Sequence, residues 1–150
     1  MLNLSKKIVV AIDGSPQSDK AAEEAVRLAA SSGAKFRSTV HAVMVLPSMR
    51  DQSFADFFPN IPVTEREDWE EQRQRIFYVV EKATREADVN LENHVIYGEP
   101  VEEILNFVEE QKIDVVVIGS SGKGRVRRAL LGSVSSKIAM HARCSVYIVR

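Results

Sequence analysis

Short, almost unbroken apolar runs alternate with helix-forming segments, and this alternation is the feature that most restricts how the chain can fold. The runs "KIVVAID" at residues 7 to 13 and "DVVVIG" at 114 to 119 are rich in β-branched residues. Strands of this kind are covered on both faces, as in a parallel sheet. Three further strand patterns lie at residues 36 to 45, 93 to 98 and 145 to 149. The order predicts a doubly wound α/β fold, a parallel sheet with helices on both faces.

Capping and stop signals mark the ends of the predicted helices. Ser15 is placed to cap a first helix, Pro16 to occupy its first position and Gly33 to end it. Pro100 opens a third helix, and Ser133 is placed to cap a fourth. These signals fall between the strand patterns, as an alternating fold requires.

A long second helix is predicted from Thr64 and Glu67, which form a capping box at its start. Its inward-facing stripe comprises Trp69, Ile76, Val80, Ala83 and Ala87. Residues 46 to 63 contain three prolines and no clean period, which favours a functional or mobile loop. That loop contains phenylalanines that need an apolar surface on the domain or on a partner, namely Phe54, Phe57 and Phe58.

Composition restricts the classes of function. A length of 150 residues fits one domain, residues 1 to 150, and 45% hydrophobic with 27% charged residues is typical of a soluble globular protein. The net charge of −1 provides no global attraction to nucleic acid or anionic lipid. No targeting segment or membrane-length apolar run is visible, so we expect a cytoplasmic protein. The sole cysteine, Cys144, excludes an intrachain disulfide, and its neighbours favour a buried thiol.

The segment "GSSGKGRVRRALLGS", residues 119 to 133, gathers glycines and cations in one place. Residues without side chains can turn successive N–H groups toward an anion at close range. Ser133 begins a helix whose free N–H groups and dipole also favour phosphate. Lys123 and Arg125 belong to a run of four basic residues that offers charge-assisted contacts. The segment is therefore a candidate phosphate-binding loop.

A second polar feature, Asp13 and Gly14, follows the first strand pattern. Ligands of open parallel sheets bind beyond the carboxyl ends of strands, so Asp13 and Gly119 share a crevice if the first and fourth strands are neighbours. An acid there accepts hydrogen bonds from a ribose or helps to hold a divalent cation between phosphates. Plainer interpretations stay open: a turn at Asp13, a strand end at Gly119, and a solvated or RNA-contacting basic run. RNA is disfavoured because no aromatic residues interleave the cations.

The spacing G-x2-G-x9-G-[ST] fits Gly119, Gly122, Gly132 and Ser133 and resembles the nucleotide loop of the universal stress protein family. The P-loop and dinucleotide-binding fingerprints are absent. The resemblance continues through "IVVAIDGSPQSDKAAEEAVRLA", "YGEPVEEILNFVEEQKIDVVVIGSSGKG" and "LLGSVSSKIAMHARCSVYIVR". The middle loop and the second helix match loosely. Three positions depart from common family residues without removing a phosphate donor, namely Ala11, Met44 and Ser145.

This resemblance implies the strand order 3-2-1-4-5 of the adenine nucleotide alpha hydrolase-like fold, with strands one and four side by side. It further implies ATP between those strands, with Asp13 on the nucleoside and backbone near Val45 on the adenine edge. Mg²⁺ or Mn²⁺ would accompany the phosphates, with no metal held directly by the protein. The implied ATP-binding residues are Ala11, Asp13, Val45, Ile118, Gly119, Gly122, Gly132, Ser133 and Val134, with Lys123, Arg125 and Ser135 as further phosphate contacts.

The resemblance also implies a homodimer paired through the last strand, Ser145 to Arg150, whose edge carries no charged or proline guard within the strand. Three functions stay open. The leading one is an ATP-binding regulatory switch in the stress response. The second is a slow ATPase or autophosphorylating protein, and the third is a dimeric adaptor that binds an unidentified protein partner without nucleotide.

The sequence gives little support for catalysis. No serine has an evident His-carboxylate partner nearby, and we assign no catalytic residue. The three histidines, His41, His94 and His141, are scattered along the chain. For each of them we expect a structural or surface role rather than metal ligation or base catalysis.

Overall fold

The computed structural model describes residues 4–46, 66–120 and 131–150, with the backbone alone described at 66–69. Within these ranges, strands and helices alternate, with a short 3-10 turn at Ala34–Phe36. The elements are β1 (Lys7–Ala11), α1 (Pro16–Ala30), β2 (Thr39–Leu46), α2 (Arg66–Ala87), β3 (Asn90–Tyr97), α3 (Pro100–Gln111), β4 (Val115–Gly119), α4 (Ser133–His141) and β5 (Ser145–Val149).

The five strands form one parallel sheet in the order β3-β2-β1-β4-β5. This confirms both the predicted fold class and the strand order that the family resemblance implies. The chain winds from β1 toward β3 on one side and then crosses to β4 on the other. The winding therefore reverses between β1 and β4, which is where open parallel sheets bind ligands.

Alternate residues of the central strands face two separate cores. Ile8 and Val10 of β1 pack in a core with α1 and α2, whereas Val9 packs in a second core with α3 and α4. All three side chains are buried, because helices cover both faces of the sheet. This explains why "KIVVA" shows no alternation of polar and apolar residues.

The predicted helix starts are confirmed for α1 and α3 and need correction for α4. Ser15 caps α1, its Oγ accepting a hydrogen bond from the Ser18 N–H at 3.2 Å, and Pro16 follows at the first helical position. Pro100 likewise opens α3. The cap of α4 is Gly132 rather than Ser133, which is the first residue inside the helix. Glycine is an accepted cap because its extended backbone at that position needs no side chain.

Two boundaries and one helix face differ from the sequence prediction. β3 begins at Asn90 rather than residue 93, and β2 begins at Thr39, since residues 34 to 36 form the 3-10 turn. On α2, Phe77 is buried and Ala87 is exposed, so the predicted inward stripe is rotated slightly. The predicted capping box, the side chain of Trp69 and the phenylalanine-rich loop lie outside the described residues.

No helix in the described ranges combines the length and the apolarity needed to cross a bilayer.

Cys144, just before β5, is half-buried beside the core on the α3 and α4 side. Burial raises the pKa of its thiol, because a thiolate is poorly solvated there. Since the thiolate is the nucleophile, we expect iodoacetamide at pH 8 to modify the folded protein more slowly than the urea-unfolded chain. The single cysteine makes mass spectrometry a direct readout. Equal rates in the two states would contradict this placement.

Candidate functional site

One side of the candidate site is the turn that follows β1. The Oδ1 atom of Asp13 accepts a hydrogen bond from the Ser15 N–H at 2.8 Å, and the Asp13 N–H donates to the Oγ of Ser18 at 3.3 Å. These bonds join the end of β1 to the first turn of α1. They fix the half-buried Asp13 carboxylate at the carboxyl end of β1, as the sequence predicted.

Gly14 is required in this turn for two reasons. Its φ angle of +81° lies in the left-handed region, which residues with a side chain rarely adopt. A Cβ atom there would also lie 3.1 Å from Cγ1 of Ile76 on α2. The turn therefore brings backbone close to a helix that follows it by some fifty residues in sequence.

The other side of the site is the junction between β4 and α4. The Ser120 N–H donates to the Val149 carbonyl at 2.8 Å, and the Gly132 N–H donates to the Ser120 carbonyl at 2.6 Å. The Oγ of Ser135 is 3.1 Å from the Ser120 carbonyl and 3.0 Å from that of Gly132. The glycine-rich segment therefore leaves and rejoins the described structure at one point beside β5.

The N-terminus of α4 lies at this junction. Its first intrahelical hydrogen bond runs from the Ser136 N–H to the Gly132 carbonyl at 2.9 Å. The N–H groups of Ser133, Val134 and Ser135 consequently have no acceptor within the helix. They present the partial positive end of the helix dipole at the carboxyl end of the sheet. This arrangement is suited to an anion.

Gly119, at the end of β4, has a steric role that the sequence did not reveal. A Cβ atom there would lie 3.0 Å from the backbone oxygen of Gln17 on α1. The glycine lets α1 pack directly on β4, which draws the start of α1 and the turn at Asp13 toward the end of β4. The Oε1 atom of Gln17 itself is buried without a hydrogen-bond partner among the described residues.

The other predicted site residues divide into two groups. Ile118 is buried in the α3 and α4 core, and three further residues are half-buried against it, namely Ala11, Val45 and Val134. Three residues of the glycine-rich segment lie outside the described residues, namely Gly122, Lys123 and Arg125.

Asp19 in the first turn of α1 is a residue that the sequence analysis missed. Burial raises the pKa of its carboxyl, and the negative charges of Glu23 and Asp13 raise it further. The carboxylates of Asp13 and Asp19 therefore interact unfavourably at the start of α1.

Comparison with known proteins agrees with this architecture. The sequence profile described as the Universal stress protein family matches residues 5–150, which is nearly the whole chain. The chain belongs to the universal stress protein family. A member from Methanocaldococcus jannaschii is 32% identical over 155 residues, covering 99% of this chain and 84% of the relative. The Bacillus subtilis member YxiE is 34% identical over 150 residues, covering 96% and 98%.

Solved structures of universal stress proteins share the fold at low identity. That of UspA from Lactobacillus plantarum has a TM-score of 0.71 at 23% identity, with complete coverage of both chains. An Archaeoglobus fulgidus member, solved in complex with dAMP, has a TM-score of 0.66 at 22% identity, covering 99% and 100%. A family member from Arabidopsis thaliana, solved with AMP bound, has a TM-score of 0.63 at 20% identity, covering 96% and 90%.

Proposed function

We propose that this universal stress protein binds an adenine nucleotide, ATP by preference, in the crevice between the ends of β1 and β4. The observation that carries the proposal is the junction at Ser120 and Gly132. It holds the first N–H groups of α4, which have no acceptor within the helix, at the carboxyl end of the sheet, where Asp13 also lies. An acid for the nucleoside and an anion site for the phosphates thus flank the point where the winding reverses.

The phosphate end of the ligand would lie against α4. Ser133 and Val134 offer main-chain N–H groups, and the hydroxyl of Ser135 holds Gly132 and Ser120 in place. The chain that departs at Ser120 and returns at Gly132 contains the remaining predicted donors, Gly122, Lys123 and Arg125. Such a segment could wrap a phosphate tail with N–H groups and cations together.

The nucleoside end would lie against β1 and β2. Asp13 uses Oδ1 for the turn, and its second carboxylate oxygen is suited to a ribose hydroxyl. The backbone near Val45, at the end of β2, is the proposed contact for the adenine edge. Mg²⁺ or Mn²⁺ would accompany the phosphates and be held by them rather than directly by the protein.

The nucleotides seen with relatives support adenine as the base. Three structurally similar proteins have been solved with cAMP, AMP and dAMP, which share that base and differ in the sugar and phosphate. ATP adds a phosphate tail that matches the basic glycine-rich segment of this chain. We therefore place ATP ahead of the monophosphates.

Nucleotide occupancy would act as a switch in a homodimer. The junction of β4 and α4 lets the ligand change local contacts without moving the sheet, which is a common form of two-state element. β5 pairs with β4 on one side, and no described strand pairs with its other side. We propose that a second copy pairs there, and analytical ultracentrifugation should show a dimer.

Ligand-dependent stability tests the proposed function. ATP with Mg²⁺ at about a hundred times its dissociation constant should stabilise the folded protein by roughly 2.7 kcal/mol. Urea unfolding at several ATP concentrations, with GTP as the matched control, measures that change. A larger effect of ATP than of AMP or GTP supports the proposal. A urea midpoint that does not change with ATP concentration would contradict the proposal and favour the nucleotide-independent adaptor.

A further inference from the structure

A cluster of two histidines and one glutamate lies beneath α3, away from the nucleotide crevice. His41 lies on β2, and Glu92 and His94 lie on β3. In the parallel register His41 pairs with Glu92, and Val43 pairs with His94. Residues 41, 92 and 94 therefore share one face of adjacent strands. The histidines are scattered along the sequence, and the fold brings two of them into contact.

The polar atoms of these three side chains converge on one point. Nδ1 of His41 is 3.1 Å from Nε2 of His94 and 3.1 Å from Oε2 of Glu92, and the last two atoms are 3.9 Å apart. A ring nitrogen carries either one hydrogen or one lone pair. Nδ1 of His41 therefore cannot serve both neighbours through two good hydrogen bonds.

A tetrahedral metal ion explains this triangle. Zinc binds histidine nitrogen at about 2.0–2.1 Å and carboxylate oxygen at about 2.0–2.2 Å, so neighbouring ligand atoms lie roughly 3.3 Å apart. The three observed separations bracket that value. Two histidines and one glutamate are also a common ligand set of zinc sites that keep a fourth position open.

The surroundings hold the ligands and leave a route for the ion. His41 is 4% exposed and its ring packs edge-on to Phe107 of α3, with ring centroids 5.7 Å apart. The ring of His94 makes a similar contact with Phe107 at 4.8 Å. Glu92, by contrast, has 60% of its side chain exposed to solvent. Phe107 thus holds both rings on the side of α3, while the exposed carboxylate lies at the entrance.

We propose that His41, Glu92 and His94 form a binding site for a divalent transition-metal ion, with Zn²⁺ as the best match and water as the fourth ligand. The bound ion would cross-link the edge strand β3 to β2. It is separate from the nucleotide site, because Val9, the β1 partner of His41, precedes Asp13 by four residues or about 13 Å of extended chain. The proposal does not depend on nucleotide binding.

Metal titration of the full chain tests this site. After treatment with a chelator and in the absence of nucleotide, Zn²⁺ is titrated by calorimetry, and Co²⁺ is added as a visible probe of coordination. We expect one Zn²⁺ per chain and a Co²⁺ spectrum typical of four ligands. Glu92→Gln and His94→Asn should each weaken Zn²⁺ binding at least tenfold, because each removes a ligand.

The matched control is His141→Asn, since His141 is an exposed histidine at the end of α4. It should leave Zn²⁺ affinity unchanged. Glu92 and His94 retain some exposure, so both variants should keep the wild-type circular dichroism and urea midpoint without metal. Absence of a one-to-one Zn²⁺ complex would overturn the proposal, as would a six-coordinate Co²⁺ spectrum or an affinity within threefold of wild type in either variant.

Discussion

Gly119→Val is expected to lower the free energy of unfolding by about 3 kcal/mol, at the upper end of the cost of overpacking. A Cβ at position 119 would meet the backbone oxygen of Gln17 at 3.0 Å, and valine adds two methyl groups to that contact. Backbone atoms cannot rotate away as a flexible side chain does. The variant must therefore push α1 off β4, at the centre of a domain whose total stability is only about 5–15 kcal/mol.

Gly33→Ala provides the matched control for this variant. Gly33 has a φ angle of +74°, but a Cβ atom there would find nothing within 4 Å. Its ψ angle of 171° places it in a region that is almost exclusive to glycine, so alanine at position 33 costs backbone strain alone, about 1–3 kcal/mol. The φ of Gly119 is outside the left-handed region, so its cost is steric. Urea unfolding should therefore show both variants below wild type, with Gly119→Val no more stable than Gly33→Ala, and a Gly119→Val midpoint equal to wild type would contradict the packing.

The central strands could be predicted from sequence because burial on both faces requires an unbroken run of apolar residues. Val9 and Val116 are paired neighbours inside the sheet, and each stands in an unbroken apolar run. β3 was placed three residues too late because it is an edge strand. Its first residues include the exposed Asn90, Glu92 and Asn93, which are polar and resemble a loop.

Site residues could be predicted where they form a local sequence pattern. They could not be predicted where the fold brings together residues that are far apart in sequence. Gly132 and Ser133 were found because a helix start after a glycine is a local pattern, although the cap was assigned one residue too late. The packing of Gly119 on Gln17 depends on how α1, the helix that connects β1 to β2, lies across β4. The contact of His41 with His94 depends on strand register across 53 residues, which no local pattern encodes.

The conformation at the start of α4 allows one phosphate donor to be removed without disturbing the helix. Gly132 has φ −61° and ψ 160°, the extended conformation that a residue before proline prefers. Ser133 is the first helical residue, where proline is favoured because the N–H is unused within the helix. Ser133→Pro should therefore keep the fold and delete one main-chain N–H from the proposed phosphate site.

We expect Ser133→Pro to weaken ATP binding by about ten- to a hundredfold, since a hydrogen bond to a charged group contributes about 1.5–3 kcal/mol. Ser133→Ala is the matched control, because it removes the hydroxyl and retains the N–H, and it should bind ATP nearly as wild type does. Calorimetry on both variants distinguishes the contribution of the Ser133 N–H from that of its hydroxyl. Urea midpoints confirm that both variants fold. If Ser133→Pro binds ATP as tightly as Ser133→Ala, the start of α4 does not hold the phosphates. The reverse order, with alanine the weaker binder, would assign the contact to the hydroxyl instead of the helix N-terminus.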